Sequence, residues 1–278
     1  MLIIHKDKSK TLMKRYQIGN IGLDVLCDEI AEKEWEKFLV PFTSKSYITI
    51  STKQNSYEKN YGITKLDLNK NSQYFLLINN KDMVLVSRDW KSVEIVQMDT
   101  SSSVSIVLLQ VFYTHAVQRH MIQFHSSLID YQGHGLMFLG PSGIGKTTQA
   151  ELWNQYRDAL IINGDIVFVQ ETEEAFLGWG TPWHGSSPYC ENTNVPVEAL
   201  IILKQAPENS IRKLEGFEKV TAVSNSVFYP RWLENGMELC LETLDHLLSR
   251  LPVYELSCRP DEEAVALTEQ TIFGGERF

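Results

Sequence analysis

One short run of residues constrains this chain more than any other feature of its sequence. From Gly140 to Thr147 it reads Gly-Pro-Ser-Gly-Ile-Gly-Lys-Thr, which fills every fixed position of the pattern G-x-x-x-x-G-K-[ST]. Glycines have no Cβ, so the backbone of such a loop can curl and turn successive N–H groups inward around an anion. The run predicts a phosphate-binding loop; the alternative is a glycine-rich turn without a ligand.

The segments that flank this run occur in the order that the pattern requires. Gly135 to Leu139 indicates a short buried strand, and Thr147 to Trp153 indicates the beginning of a helix. In such an arrangement the N-terminus of the helix adds its positive dipole end to the anion site. The residues expected to contact the phosphates are Gly140, Ser142, Gly143, Ile144, Gly145, Lys146, Thr147 and Thr148.

Three side chains in and after this loop have individual predicted roles. The Lys146 ammonium would reach the β- and γ-phosphates of a nucleotide, and the Thr147 hydroxyl would be a ligand of Mg²⁺. A second buried strand, residues 159–162, ends in Asn-Gly-Asp, so it delivers Asp165 beside the loop. A carboxylate there can hold Mg²⁺ or accept a proton from an attacking hydroxyl. The alternative for Asp165 is an ordinary aspartate in a turn.

Composition limits the classes of partner. The 278 residues have 43% hydrophobic content and a net charge of -9, which suits a globular protein and argues against a nucleic-acid partner. No apolar stretch is long enough to span a membrane, and the N-terminus does not have the order of a signal peptide, so a cytoplasmic location is expected. The four cysteines form no C-x-x-C pair, which favours free buried thiols. The sequence leaves open whether the chain forms homo-oligomers.

Periodicity divides the chain into a β-rich accessory unit, residues 1–100, and a nucleotide-binding domain, residues 101–278. The first unit has one predicted helix, residues 28–38, and strands at residues 47–50, 74–78, 83–86 and 93–98, the middle two forming a hairpin.

In the second unit, a helix is predicted from a serine cap at residues 101–103 to about Met121. Two strands joined by a tight connection then lead into the phosphate loop. The loop is therefore expected to follow a hairpin, unlike the parallel βαβ unit that precedes most such loops.

Three blocks of the second unit resemble the HPr kinase/phosphorylase-like proteins, whose fold is related to the nucleotide domain of phosphoenolpyruvate carboxykinase. The blocks are His125–Asp130 before the loop, Gly140–Thr148 as the loop itself, and Asn163–Asp165 after it. The resemblance covers about residues 120 to 270. It implies an α/β fold with a phosphate-loop nucleotide-binding domain of the HPr kinase and phosphoenolpyruvate carboxykinase type.

Two later blocks resemble a divergent branch of this family, which includes kinases of lasso-peptide precursors and other ribosomally made peptides. These blocks are Gly180–Gly185 and Leu256–Asp261. The chain departs from HPr kinase at one point, because that enzyme has two adjacent aspartates where this chain has Gly164 and Asp165. The resemblance is therefore carried onto Asp165 alone, as both base and metal ligand; if the first position were the base, Asp165 would keep only the metal role.

Four other residues are weaker candidates. The resemblance places His125 beside the loop, where it could bind a phosphate oxygen or orient Asp165, although a lone strand histidine is often a core residue. Trp183 and His184 lie in a segment with the composition of an ordered loop, and are predicted to position the substrate; Trp183 serves equally well as an anchor to the core. Arg259 is predicted either to contact the nucleotide or to cap a helix that begins near Asp261.

The leading hypothesis is a kinase that requires Mg²⁺ and transfers the γ-phosphoryl group of ATP, or of GTP, to a hydroxyl. The resemblance implies that this hydroxyl belongs to a serine of a peptide or small protein, such as a lasso-type precursor. Another hypothesis is an HPr serine kinase/phosphorylase of sugar regulation, and a non-enzymatic one is a regulator or assembly protein gated by nucleotide. A carboxykinase-type reaction ranks lower, because no cluster of cationic residues for a carboxylate substrate stands out.

Overall fold

The computed structural model describes residues 13–26, 33–42, 48–54, 72–76, 83–97 and 104–274. The chain divides into two compact units, Met1–Phe112 and Tyr113–Phe278, and the boundary falls inside helix α1 (Val104–Val117). Each unit contains a β-sheet of its own, so the protein is a mixed α/β protein with two sheets. The division after residue 100 drawn from the sequence differs from this one by the part of α1 that precedes Tyr113.

The described part of the first unit is a six-stranded sheet with one short 3-10 helix, Lys33–Phe38. Its strands are β1 (Met13–Ile18), β2 (Ile21–Leu26), β3 (Ile48–Gln54), β4 (Ser72–Leu76), β5 (Met83–Ser87) and β6 (Ser92–Gln97). They lie in the order β1-β2-β3-β6-β5-β4, with β3 parallel to both of its neighbours and the other pairs antiparallel. In the core of this unit, the rings of Tyr16 and Trp35 meet edge to face, with centroids 5.0 Å apart.

The four strands and the hairpin predicted for this unit are confirmed within the described residues, whereas the helix is different. Lys33–Phe38 forms a 3-10 helix rather than an α-helix. Its two buried side chains, Trp35 and Phe38, are three residues apart, and a 3-10 helix places such residues on the same side. Residues 28–32, the hairpin turn at residues 79–82 and the serine cap at residues 101–103 lie outside the described residues.

The second unit contains a nine-stranded sheet and four further helices in its described residues. Its strands are β7 (Met121–Tyr131), β8 (His134–Leu139), β9 (Leu160–Asn163), β10 (Ile166–Glu171), β11 (Phe176–Trp179), β12 (Asn194–Gln205), β13 (Ser210–Leu214), β14 (Val227–Phe228) and β15 (Val253–Cys258). Its helices are α2 (Lys146–Arg157), α3 (Gly216–Ser224), α4 (Gly236–Arg250) and α5 (Glu262–Phe273). The main strand order is β11-β10-β7-β8-β12-β15-β13, and β9 and β14 also pair with β7.

The predicted hairpin before the loop is confirmed. Strands β7 and β8 pair antiparallel, and the turn between them uses Gln132 and Gly133, whose φ angles of 55° and 89° suit a tight hairpin turn. On its other side β8 pairs parallel with β12, which is itself parallel to β15. The carboxyl ends of these three parallel strands therefore lie at one edge of the sheet, and the glycine loop begins there.

Helix α2 is held against this sheet by apolar packing. Ala150 and Trp153 on α2 join a core with Phe138 of β8, Ile201 of β12 and Val265 of α5, all of them buried. Burial of such side chains is the main source of stability for an amphipathic helix. The packing fixes the helix that follows the loop, and with it the loop.

Helix α1 is shorter than the sequence predicts. It ends at Val117 rather than near Met121, and the intervening residues form a turn in which His120 has a φ of 52°. Met121 pairs with Gln170 and begins β7. The prediction was wrong at this end because a left-handed residue and a strand partner distant in sequence end the helix, and neither is visible in its apolar periodicity.

Candidate functional site

The glycine loop has the backbone geometry that its pattern requires. It begins directly after β8, and Lys146 is the first residue of α2. Gly143 and Gly145 have φ angles of 78° and 114°, which side chains other than glycine rarely adopt. Ser127 of β7 donates a hydrogen bond of 2.9 Å to the Lys146 carbonyl and so ties the first turn of α2 to the sheet.

The Lys146 ammonium is folded back over the loop. Its Nζ donates to the carbonyl oxygens of Gly140 and Pro141, at 3.1 and 3.2 Å, and the residue is buried. Burial lowers the pKa of Lys146 below its usual value, and the nearby Asp165 charge partly opposes that change. A buried ammonium satisfied only by carbonyl oxygens is well placed to exchange them for phosphate oxygens.

Asn163 shapes the turn that presents Asp165. Its side-chain oxygen accepts hydrogen bonds from the backbone N–H groups of Asp165 and Ile166, at 2.8 and 3.0 Å, and its amide nitrogen donates to the Thr181 carbonyl at 2.9 Å. Asn163 is fully buried, so its hydrogen bonds hold the turn from the interior of the protein. No role for Asn163 is predicted from the sequence, although Asn-Gly after a strand is a recognised turn signal.

The Asp165 carboxylate lies next to an imidazole. Its Oδ1 is 3.0 Å from His125 Nε2. The His125 backbone is held in turn by the Ser226 carbonyl, which accepts from its N–H at 2.8 Å. This contact agrees with the predicted role in which His125 orients Asp165, and His125 also lines the cavity above the loop, where the other predicted role would place it.

The Thr147 hydroxyl reaches the same turn. It donates to the Gly164 carbonyl at 3.4 Å, one residue before Asp165. A hydroxyl and a carboxylate at the mouth of a phosphate loop form a donor set that suits Mg²⁺, which usually keeps several waters and takes few protein ligands. Thr147 and Asp165 are therefore the residues that would hold the metal.

The segment Gly180–Ser187 packs directly on the Asp165 turn, through two glycines. A Cβ added to Gly164 would overlap the Ser187 hydroxyl and lie 2.5 Å from the Ser187 Cβ. A Cβ added to Gly185 would overlap Oδ2 of Asp165 and lie 2.8 Å from its Cγ. Real Cβ atoms essentially never approach other atoms this closely, so both contacts require glycine. The segment Gly180–Ser187 therefore forms one wall of the site and packs closely against the Asp165 turn.

His184 and Trp183 take different positions on this wall. The His184 ring faces the Ser187 carbonyl through Nδ1, and because a carbonyl only accepts, Nδ1 carries a proton. His184 lines the cavity above the loop, whereas Trp183 is 6% exposed and is not among the lining residues. The position of Trp183 matches the alternative in which it anchors the wall to the core.

Together these residues surround a cavity of about 360 Å³, here named the transfer cavity. It is lined by His125, Ser142, Gly143, Gly145, Lys146, Thr147, Thr148, Gly164, Asp165, His184, Ser186 and Ser187. Ser186 and Ser187 were not singled out from the sequence, because nothing local to them signals that they meet the Gly164 turn. The cavity brings a cation, hydroxyl groups, a carboxylate and two imidazoles together around one space.

Arg259 lies elsewhere, at the carboxyl end of β15. Its guanidinium pairs with Asp261 at 3.0 Å and with Glu263 at 2.9 Å. The residue that caps α5 is Asp261, whose side chain accepts from the Ala264 N–H at 3.1 Å. Arg259 therefore supports the cap through Asp261, and it also lines a second cavity beside the loop.

Two further features concern the described cysteines and helices. Cys190, Cys240 and Cys258 are buried and form no disulfide with one another, while Cys27 lies outside the described residues. Within the described residues, no helix is long and apolar enough to cross a membrane.

Fold and site together define a class of protein. It is a mixed α/β protein in which a glycine loop connects a central strand to a helix, with a carboxylate and a histidine at the mouth of the loop. The chain belongs to the ScmC family: the family model described as "SynChlorMet cassette protein ScmC" matches residues 87–259, more than half of the chain.

One solved structure similar to this chain is that of the Hpr(Ser) kinase/phosphatase from Coxiella burnetii. The identity is 10%, the match covers 56% of this chain and 99% of that chain, and the TM-score is 0.34. Nothing about activity follows from so distant a likeness. No curated protein matches the chain significantly.

Proposed function

We propose that this protein is a phosphotransferase that requires Mg²⁺ and moves the γ-phosphoryl group of ATP to a hydroxyl, namely that of a serine in a peptide or small protein. One observation carries the proposal. Lys146, Thr147 and Asp165 converge on a single cavity at the N-terminus of α2, and His125 binds the carboxylate. Phosphoryl transfer depends mainly on position and on neutralised charge, and this cavity supplies both.

Each residue has a defined task in the proposed reaction. The loop amides and the Lys146 ammonium would bind the β- and γ-phosphate oxygens and stabilise the charge that develops on them. Mg²⁺ held by Thr147 and Asp165 would neutralise further phosphate charge. His125, through its 3.0 Å contact, keeps the Asp165 carboxylate turned towards the cavity.

The transfer itself balances without a further reactant. The acceptor oxygen forms a bond to the γ-phosphorus while the bond from that phosphorus to the bridging oxygen of ADP breaks. The hydroxyl proton passes to the Asp165 carboxylate and from there to solvent. The products are ADP and a phosphate monoester on the acceptor.

The proposal also names the kind of molecule that accepts the phosphoryl group. The resemblance of Gly180–Gly185 and Leu256–Asp261 to kinases of ribosomally made peptides supports a peptide acceptor, including a lasso-type precursor. The family description names a cassette protein, which supports testing first the peptides encoded beside this chain. HPr is the alternative protein acceptor, and it would connect the enzyme to sugar regulation.

The experiment incubates the full chain with Mg²⁺ and ATP labelled at the γ-phosphate, with each candidate peptide or HPr in turn. Label should appear on a serine of one acceptor, and Lys146→Ala should abolish the transfer while leaving the circular dichroism spectrum unchanged. If the chain binds nucleotide but transfers label to no hydroxyl, the proposal fails and a nucleotide-gated regulator becomes the better interpretation.

A further inference from the structure

A larger cavity lies beside the first residues of the phosphate loop, and it is here named the α3 cavity. Its volume is about 700 Å³, and helix α3 contributes several of the residues that line it. Gly140 and Pro141, which begin the loop, also line it, although neither lines the transfer cavity. The α3 cavity is therefore a separate space, next to the end of the loop that holds the Lys146 ammonium.

Hydrogen bonds connect the walls of the two cavities at two places. Lys146 lines the transfer cavity, and its Nζ donates to the carbonyls of Gly140 and Pro141 in the wall of the α3 cavity. His125 also lines the transfer cavity, and its backbone N–H donates at 2.8 Å to the carbonyl of Ser226, which lines the α3 cavity. The two spaces therefore lie side by side, on the side of the loop where Lys146 would meet the γ-phosphate.

Apolar side chains form much of the wall of the α3 cavity. They belong to Pro141, Ile202, Leu214, Phe217 and Ala222. Ile202 and Leu214 are buried, whereas Phe217, in the first turn of α3, is 85% exposed. A single exposed apolar residue is ordinary, but a phenylalanine that borders an apolar cavity is typical of a binding surface. The α3 cavity thus has the composition of a site for an apolar group.

The charged side chains of this cavity are already paired. Glu255 is buried and contacts Lys204 at 2.5 Å and Arg212 at 2.9 Å. Glu218 contacts the same Arg212 at 2.5 Å. The formal charges of these two carboxylates and two cations cancel, so the cavity favours neither an anion nor a cation. A neutral apolar group is the occupant that leaves these pairs intact.

We infer that the α3 cavity binds the acceptor peptide by a large apolar side chain that lies within about three residues of the phosphorylated serine. The inference rests on the proposed function, since it places that serine in the transfer cavity. An extended peptide rises about 3.3 Å per residue, so a side chain close to the serine in sequence can enter the adjoining space. A sugar would leave hydroxyl groups unpaired against Leu214 and Phe217, whereas a peptide carries the hydroxyl and an apolar side chain in one molecule.

The experiment measures transfer from labelled ATP to short synthetic peptides by the full chain with Mg²⁺. Each peptide has one serine among glycine and asparagine residues and a leucine at one position within about three residues of it; a reference peptide has no leucine. One leucine position should lower KM about tenfold relative to the reference peptide, because the leucine is buried in the α3 cavity. Phe217→Ser should remove this advantage and Phe217→Leu should keep most of it. Leu241→Ser, at an exposed position of α4, is the matched control and should keep it fully.

Transfer that does not depend on the leucine overturns the inference and leaves the proposed function standing, and this comparison needs no variant to fold. A leucine preference that survives in Phe217→Ser also overturns it. If Phe217→Ser changes the mass of the chain in solution but not the KM of the peptides, the surface belongs to a second copy of the chain and the inference fails. Fluorescence polarisation of dye-labelled peptides decides the case without transfer. Binding that requires both the leucine and Phe217 then supports the peptide site and contradicts the proposed function, whereas an absence of binding rejects the inference.

Discussion

Asp165 has two charged or polar neighbours that act on it differently. His125 Nε2 lies 3.0 Å from its Oδ1, while the electrostatic interaction between Asp165 and Lys146 raises the pKa of Lys146 against the effect of burial. The first contact fixes the direction of the carboxylate, and the second helps to keep the ammonium charged. At the scale of single residues, the proposed chemistry depends on these two contacts.

Asp165→Asn should lower kcat by at least about a hundredfold, because the amide keeps the size of the side chain but can neither accept the hydroxyl proton nor balance a metal charge. The measurement is steady-state transfer of labelled phosphate at saturating ATP. Asp245→Asn, at an exposed position of α4, is the matched control and should keep full activity. Undiminished transfer by Asp165→Asn would contradict both roles given to this residue.

The lowered pKa of Lys146 predicts how nucleotide affinity depends on pH. Phosphate binds the charged form, so affinity is complete below the lowered pKa and falls as the pH rises through it. Calorimetry from about neutral pH to about pH 10 should show this fall, together with proton uptake on binding. Lys146→Ala should bind more weakly throughout and lose that part of the pH dependence. If the nucleotide affinity of Lys146→Ala falls in the same way at alkaline pH, the pH dependence belongs to another group.

At the scale of elements, the site is made where the turn between β9 and β10 meets the segment Gly180–Ser187. Gly164 and Ser187 are in such close contact that no side chain fits at position 164. In this chain Ser187 fills that space, so Asp165 is the carboxylate that the turn presents to the cavity.

Gly164→Ala should therefore displace the wall and reduce transfer at least about tenfold, since small misplacements at a reacting centre are costly. The double variant Gly164→Ala/Ser187→Gly removes both overlapping atoms and should recover much of the activity. Ser187→Gly alone completes the cycle of four proteins and is the control. Transfer rates of the four proteins test this prediction, and a double variant no better than Gly164→Ala would contradict the steric explanation.

At the scale of the whole molecule, every residue assigned to the site belongs to the second unit, Tyr113–Phe278. A ligand that binds only the folded site stabilises the elements that form this site. The stabilisation is about 2.7 kcal/mol when the free ligand concentration is a hundred times Kd. The first unit contributes none of the described residues that line the transfer cavity.

Hydrogen exchange of the full chain with and without Mg²⁺ and ATP should locate this stabilisation. Exchange should slow in the loop, in the first turn of α2 and in the turn that carries Asp165. Peptides from β1 to β6 should exchange at the same rate in both conditions. Slowing confined to the first unit would place the nucleotide away from the proposed site.

The sequence was most informative where structure depends on neighbouring residues. The loop pattern, the strand before it and the helix after it were all predicted, because each is determined by a few adjacent residues. The end of α1 was predicted wrongly, since Met121 leaves the helix to pair with Gln170, a partner distant in sequence. Ser187 was missed for the same reason, whereas the role of Asn163 was missed although Asn-Gly after a strand is a local turn signal.

The sequence by itself determined that a glycine loop joins a strand to a helix and that a carboxylate follows one strand later. Only the tertiary structure decided that His125 meets Asp165, that Ser187 fills the space beside Gly164, and that the Gln149 amide is buried against Cys258. The physical reason is that a loop conformation follows from local backbone freedom, whereas these contacts arise from the pairing of β7 with β10 and from the packing of α2 on the sheet.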